Sequence, residues 1–528
     1  MMQEEEQYHS KNIAGIMARM FLNNPLTMVM LISILLLGYI TLNIAPREED
    51  PQIAVSGGSI IVVVPGASPE AITNVVIKPL ERRIREIKGV EHVYGTAMNN
   101  VGMINVQYLI GEDRESSNLK LYDKVMQNMD KLPIGAKQPL IKPFDIDIDI
   151  PVATVAFFQK EHRHPSTSEQ YRVVREVQQD INAIENVSKS TLKGIHHPQF
   201  NIQVDLDKLS GYHLSLGQIT QSIQAIADNA PNIQAPTQGA SLIVFGVQNS
   251  IETVEDIQNL IVAQYMGSPI YLKNVADVEF SWDMQHYQRS QLAMRDSNET
   301  FSEPIEQVTL TVSKLKGTNA VHITENVVEM LKEKRELLDK AGIGYIITRN
   351  YGERADEAVN ELIHHLVITI GIIGLILIPF LGWRESLVVS IAVPMILAAT
   401  LFIAYMTDQT INRITLFAFL LSLGLIVDDA IIVIENIHRR MHLKETADQS
   451  FDEIIIEATD EIGPSTNIAT IAIILTMVPM AFVGGMMGQF MKPIPLNVPV
   501  ALAVSLFVAY VFTPFLAKKL IKRAKGTH

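Results

Sequence analysis

The sequence predicts an α-helical membrane bundle of six spans with a large α+β insert between the first and the second. Three observations lead there. Apolar runs of about 20 residues, the length that crosses a bilayer, recur six times. The stretch from Pro46 to Asn360 lacks such runs and reads instead as strands and amphipathic helices divided by turn residues. Charged residues make up only 19% of the chain while hydrophobic ones make up 48%, as very apolar and ordinary polar segments would give together.

Composition removes several classes of function. The 528 residues hold 43 Lys and Arg against 57 Asp and Glu, a net charge of −14, which argues against nucleic acid as a partner. There is no cysteine, which excludes disulfides, thiolate metal sites and a thiol nucleophile. Phosphate-binding P-loop, HExxH and GxSxG patterns are missing, against ATP-driven pumps and common hydrolases; the chain reads as no enzyme.

Residues 1–24 are an acidic lead that lies in the cytoplasm or at the interface. The first span, 25–45, is too long for a signal peptide and no small-residue cleavage site follows it. Within the insert, Ser59 to Val64 is an apolar strand. Ser68 then caps a helix with Pro69 in its first turn, running to about Ile87. Val90 to Met98 and Met103 to Ile110 are strands, Ser117 to Leu132 a helix stopped at Pro133, and Val152 to Phe158 a strand. That βαββαβ order is ferredoxin-like. A second cycle follows: helix Ser168 to Ile184, strand Phe200 to Val204, helix Ser215 to Asp228. Asn229 to Gly239 reads as an exposed arm, and strand Val308 to Val312, helix Ala320 to Leu338 and strand Gly344 to Thr348 close the insert. The remaining spans are 361–381, 385–406, 411–437, 462–483 and 493–520, followed by a basic tail, 521–528.

Lysine and arginine near the span ends set the orientation. Lys11, Arg19, Arg384, Arg439, Arg440, Lys444, Lys518, Lys519, Lys522, Arg523 and Lys525 fall on the side of the termini, against Arg413 and Lys492 on the other. Both termini are therefore cytoplasmic and the insert is exported.

The fourth span carries the sharpest chemical signal, Gly424-Leu425-Ile426-Val427-Asp428-Asp429-Ala430-Ile431-Ile432-Val433-Ile434-Glu435-Asn436. An aspartate at mid-membrane costs about 2.5–3.5 kcal/mol on insertion scales, so Asp428 and Asp429 must be protonated or sit beside a cation. Adjacent carboxylates titrate as a coupled unit, which suits a proton carrier. The alternative is a pair that holds helices together by hydrogen bonds. Asp428 and Glu435 are seven apart, as are Asp429 and Asn436, so each pair shares one helical stripe. Glu435 and Asn436 are either relay support or interfacial structure. No lysine or arginine of this sequence falls mid-span, so a positive charge facing the acids must come from elsewhere.

These residues resemble the GLxVDDAIxVxEN signature of the resistance-nodulation-division (RND) efflux transporters. Pro46 with Glu49-Asp50-Pro51, Pro65-Gly66-Ala67 and Gly484-Gly485 support the resemblance, which covers roughly the whole chain as the N-terminal half of such a transporter. It implies a proton-driven exporter in the Gram-negative inner membrane, without cofactor, the proton gradient being the energy source. It places Asp428 and Asp429 at the proton-relay positions. It divides the insert into porter subdomain 1 (46–135), porter subdomain 2 (136–196 and 278–360) and a docking subdomain (197–277). The implied partners are membrane lipid, a second half supplying a mid-membrane lysine, a periplasmic adaptor and an outer-membrane channel, in a three-fold assembly of paired halves. The Asp-Asp form resembles the branch that exports hydrophobic and amphiphilic compounds. The arm at Asn229 to Gly239 is shorter than the family's.

Competing signals are weaker. Met486, Met487 and Met491 read as adaptable packing. Asp145, Asp147 and Asp149 read as one solvated strand face. His162, His164, His196 and His197 lack metal-ligand spacing. His364 and His365 read as an interfacial cap. A SecD/SecF-type export accessory would carry a single aspartate in a VDANV-like context, and a lipid or small-molecule receptor would need no proton coupling.

Overall fold

The computed structural model describes residues 10–53, 55–160, 167–195, 198–227, 233–236, 242–245, 253–283, 288–295, 297, 299–443 and 449–521. Among them, six helices are long and apolar enough to cross a membrane. They are Leu26–Ile44, Tyr351–Leu381, Trp383–Met406, Arg413–Met441, Phe451–Ala481 and Pro493–Leu520. The sixth is the central one: Val508, Phe512 and Ala509 are fully buried against Val388, Ile396, Ile426 and Val433 of the third and fourth. Gly38 of the first span lets it meet the third closely, since a Cβ there would lie 2.3 Å from the Ala398 Cβ.

Two spans begin earlier than hydropathy indicates. The second starts at Tyr351, capped by Asn350, and the fifth at Phe451, capped by Ser450. Their first turns are polar and stand clear of the apolar stretch, so a hydropathy reading misses them. Inside 1–24 lies a further helix, Ile13–Leu22, capped by Asn12. It is pinned to the fifth span, whose Asp460 carboxylate accepts the backbone N–H groups of Lys11 and Asn12 at 2.8 and 3.0 Å.

The insert contains two main sheets. In the first, neighbours run Val90–Met98, Val101–Tyr108, Ser56–Val63, Leu140–Asp145, all antiparallel. The closing strand is therefore Leu140–Asp145, not Val152 to Phe158. Pro143 hides this strand from sequence reasoning, and an edge position is where a sheet tolerates proline. Ser68 caps the packed helix as expected, accepting from the Ala71 N–H at 3.3 Å. That helix widens into a π-turn at Thr73–Ile77, just before Pro79, which has no N–H to offer the preceding turn.

The strand beginning at Pro151 instead lies inside the second sheet, where Ile305–Lys314, Pro151–Gln159 and Ile343–Asn350 are consecutive neighbours. Val187–Lys193 pairs with Ile305–Lys314 as well. Its sequence is polar and half exposed, which is why no strand is legible there. Helices Thr167–Asn182 and Ala320–Glu333 cover this sheet around Phe157, Val177, Leu310 and Leu331. Between its strands the chain leaves for a smaller unit cored by Leu209, Ile219, Leu272 and Val275, with Pro198–Val204 paired to Ala276–Trp282. In the arm, Ile233–Pro236 pairs with Leu242–Phe245; the rest of Asn229 to Gly239 lies outside the described residues, as do His162, His164, His196 and His197.

Asp145, Asp147 and Asp149 do not share a strand face. Asp145 ends the edge strand, Ile146–Asp149 is one helical turn, and Asp149 pairs with Lys189. His364 and His365 are exposed on the second span. Met486 and Met487 are exposed beside the fifth span, and Met491 packs partly against the bundle core.

Candidate functional site

The fourth span is one helix, Arg413–Met441, begun by Asn412, whose side chain accepts the N–H groups of Ile414 and Thr415. Consecutive residues on a helix point about 100° apart, so adjacent aspartates cannot share a face. The fold separates them. Asp429 is 6% exposed and turned into the bundle, whereas Asp428 is exposed on the outer face. Glu435 lies on the exposed side with Asp428, and Asn436 on the buried side with Asp429.

Asp429 has one hydroxyl partner and a second hydroxyl close by. Ser505 of the sixth span donates to its Oδ2 at 2.7 Å and lies 2.9 Å from the Ile426 carbonyl. Thr470 of the fifth span is buried close to the same carboxylate. Nearby, the Tyr510 hydroxyl donates to Asn467 Oδ1 at 2.8 Å, bridging the fifth and sixth spans. Ser505 and Thr470 are functional candidates that sequence reasoning passed over. The signal that finds them is heptad spacing on the helix they face: Thr415, Ser422, Asp429 and Asn436 are each seven apart and all buried.

The cations of this helix are engaged at its ends. Arg413 pairs with Asp50, Arg439 with Glu461 at 3.0 Å, and Arg440 with Glu457 and Glu461 at 2.9 and 2.8 Å. Asn436 belongs to this end cluster. It donates to the Ala458 carbonyl at 2.7 Å and to Glu461 at 3.0 Å, and it accepts from Arg439 at 2.8 Å. Asn436 thus clamps the fourth span to the fifth, while Glu435 stays on the open side.

The arrangement offers one buried carboxylate bonded to a hydroxyl group and one on a surface that other chain can cover. Protonating or deprotonating Asp429 changes the charge at a seam shared by the fourth, fifth and sixth spans. Hydroxyls suit this, since they donate to a carboxylate and accept from a carboxylic acid.

The sequence was also compared with models of known protein families. The AcrB/AcrD/AcrF family model matches residues 17–528, nearly the entire chain. Its six apolar helices and its acidic fourth span therefore belong to an RND-type transporter, and the chain is a member of the AcrB/AcrD/AcrF family.

Proposed function

We propose that this protein is the permease of a proton-driven exporter of hydrophobic or amphiphilic compounds, with Asp428 and Asp429 as its proton relay. The observation that carries this reading is the buried Asp429 carboxylate, held by Ser505 inside the apolar bundle with no cation of its own helix beside it. Asp428 faces outward, where a second six-span unit, on this polypeptide or another, would bring a lysine. A proton entering from the outer side neutralises one carboxylate, weakens its hold on that lysine and lets the spans shift. The membrane potential supplies about 2.3 kcal/mol per proton per 100 mV, enough to change a two-state ratio tens-fold.

In this reading the protein sits in the Gram-negative inner membrane with both termini cytoplasmic and the insert periplasmic. The two large sheets form porter subdomains that pass substrate outward, and the smaller unit that leaves from the second sheet docks a periplasmic adaptor and an outer-membrane channel in a three-fold assembly. Glu435 lies below Asp428 on the open face and supports proton exit. The test is dye efflux and proton flux in everted membrane vesicles. Asp428→Asn and Asp429→Asn each abolish coupled export at undiminished membrane levels; export that survives either change excludes the relay.

A further inference from the structure

We infer that the segment from Pro46 to Asp50 is the latch that couples the relay helix to the insert, with Glu48 and Lys314 as positioning residues. This rests on the transport reading above.

The segment leaves the first span and binds a different element with almost every residue. Glu48 is 4% exposed and Lys314, at the end of a strand of the second sheet, is 6% exposed; the two form an ion pair. The other Glu48 oxygen accepts from Thr410 at 2.9 Å, in the loop that leads into the fourth span. Gln52 donates to Glu48 as well, at 2.9 Å. Arg47 pairs with Asp356 in the first turns of the second span. Asp50 pairs with Arg413, the first residue of the relay helix.

The backbone repeats the pattern. The Glu48 N–H donates to the Ile411 carbonyl at 2.9 Å, and the Ile411 N–H to the Pro46 carbonyl at 2.8 Å. The Arg413 N–H reaches the Glu49 carbonyl at 3.1 Å, and the Ala320 N–H of the insert reaches the Arg47 carbonyl at 2.9 Å. A shift of the fourth span along its axis therefore pulls on a segment whose Arg47 and Glu48 are bonded to Ala320 and Lys314 of the insert. Arg47, Glu48 and Asp50 each have an ion-pair partner on another element, so the elements move together or the pairs break. A buried pair makes the linkage stiff, because separating it strands both charges away from water.

The test uses the absence of native cysteine. Spin labels are placed at Glu336 in the insert and Met406 at the end of the third span, both exposed, in the assembly isolated from membranes. Asp429→Asn, which mimics the protonated relay, shifts the interlabel distance distribution in the otherwise native chain. In the double variant Glu48→Gln with Lys314→Met, which leaves no buried charge unpaired, the shift caused by Asp429→Asn is lost while the thermal transition is retained. Asp50→Asn, on the exposed side of the segment, reduces the shift and serves should the double variant fail to fold. A full shift in either background overturns the latch. No shift from Asp429→Asn in the otherwise native chain overturns the relay reading, and the latch with it.

Discussion

Asp429 is held in the bundle by the Ser505 hydroxyl group, and that choice of partner has consequences that a cation would not have. Ser505→Ala removes one hydrogen bond to a charged group, worth about 1.5–3 kcal/mol, so the acid–base balance of Asp429 moves without loss of the carboxylate. The expected outcome is a displaced pH profile of export with the protein still folded; an unchanged profile would show that Ser505 only packs. Serine and threonine are common inside apolar helices and usually bond their own backbone, as Thr400 and Thr459 do here at 2.7 and 2.8 Å. That is why Ser505 was not legible alone, whereas two adjacent carboxylates in an apolar run stand out on solvation cost. Asn436→Ala removes the bridge to the Ala458 carbonyl and leaves part of the Glu461–Arg439 cluster unsatisfied. Its expected effect is a loss of about 1–3 kcal/mol of stability, read as a lower melting temperature in detergent.

Between elements, glycine decides how closely helices approach. Gly38 touches the third span, and Gly15 of the helix Ile13–Leu22 faces Asp460, whose Oδ1 lies 2.3 Å from where a Cβ would stand. Gly38→Leu forces the first and third spans apart and costs about 1–3 kcal/mol through overpacking, seen as early thermal unfolding. Gly15→Leu displaces the Asp460 side chain from the Lys11 and Asn12 N–H groups and frees the helix, raising its protease sensitivity while the bundle core is kept. Hydropathy finds spans well because lipid demands long apolar runs, and Pro493–Leu520 begins and ends where the sequence places it. It cannot find the amphipathic helix Ile13–Leu22 or the polar first turns at Tyr351, since their partners are other parts of the protein. Strand Leu140–Asp145 escapes for a related reason. Its place at a sheet edge, which makes Pro143 acceptable, is set by tertiary pairing with Ser56–Val63.

For the whole molecule, the fourth span has a face with no partner among the described residues. Phe417, Leu421, Gly424, Asp428 and Glu435 fall on one exposed stripe. A second six-span unit is proposed to cover it, so Leu421→Cys should crosslink to a cysteine scanned along that unit; crosslinking only between copies of this chain would indicate a self-paired bundle. Sequence resemblance supplies this expectation, while the structure supplies its direction, because only Asp428 of the pair points that way.

Difference infrared spectroscopy of the purified assembly tests the relay most directly. The account predicts a protonated carboxyl band that appears and disappears reversibly as pH is cycled, and that is lost or displaced in Asp429→Asn and altered in Asp428→Asn. A spectrum in which neither substitution changes any titrating carboxyl band would contradict it, and the acidic pair would then be a structural fastening of the helices.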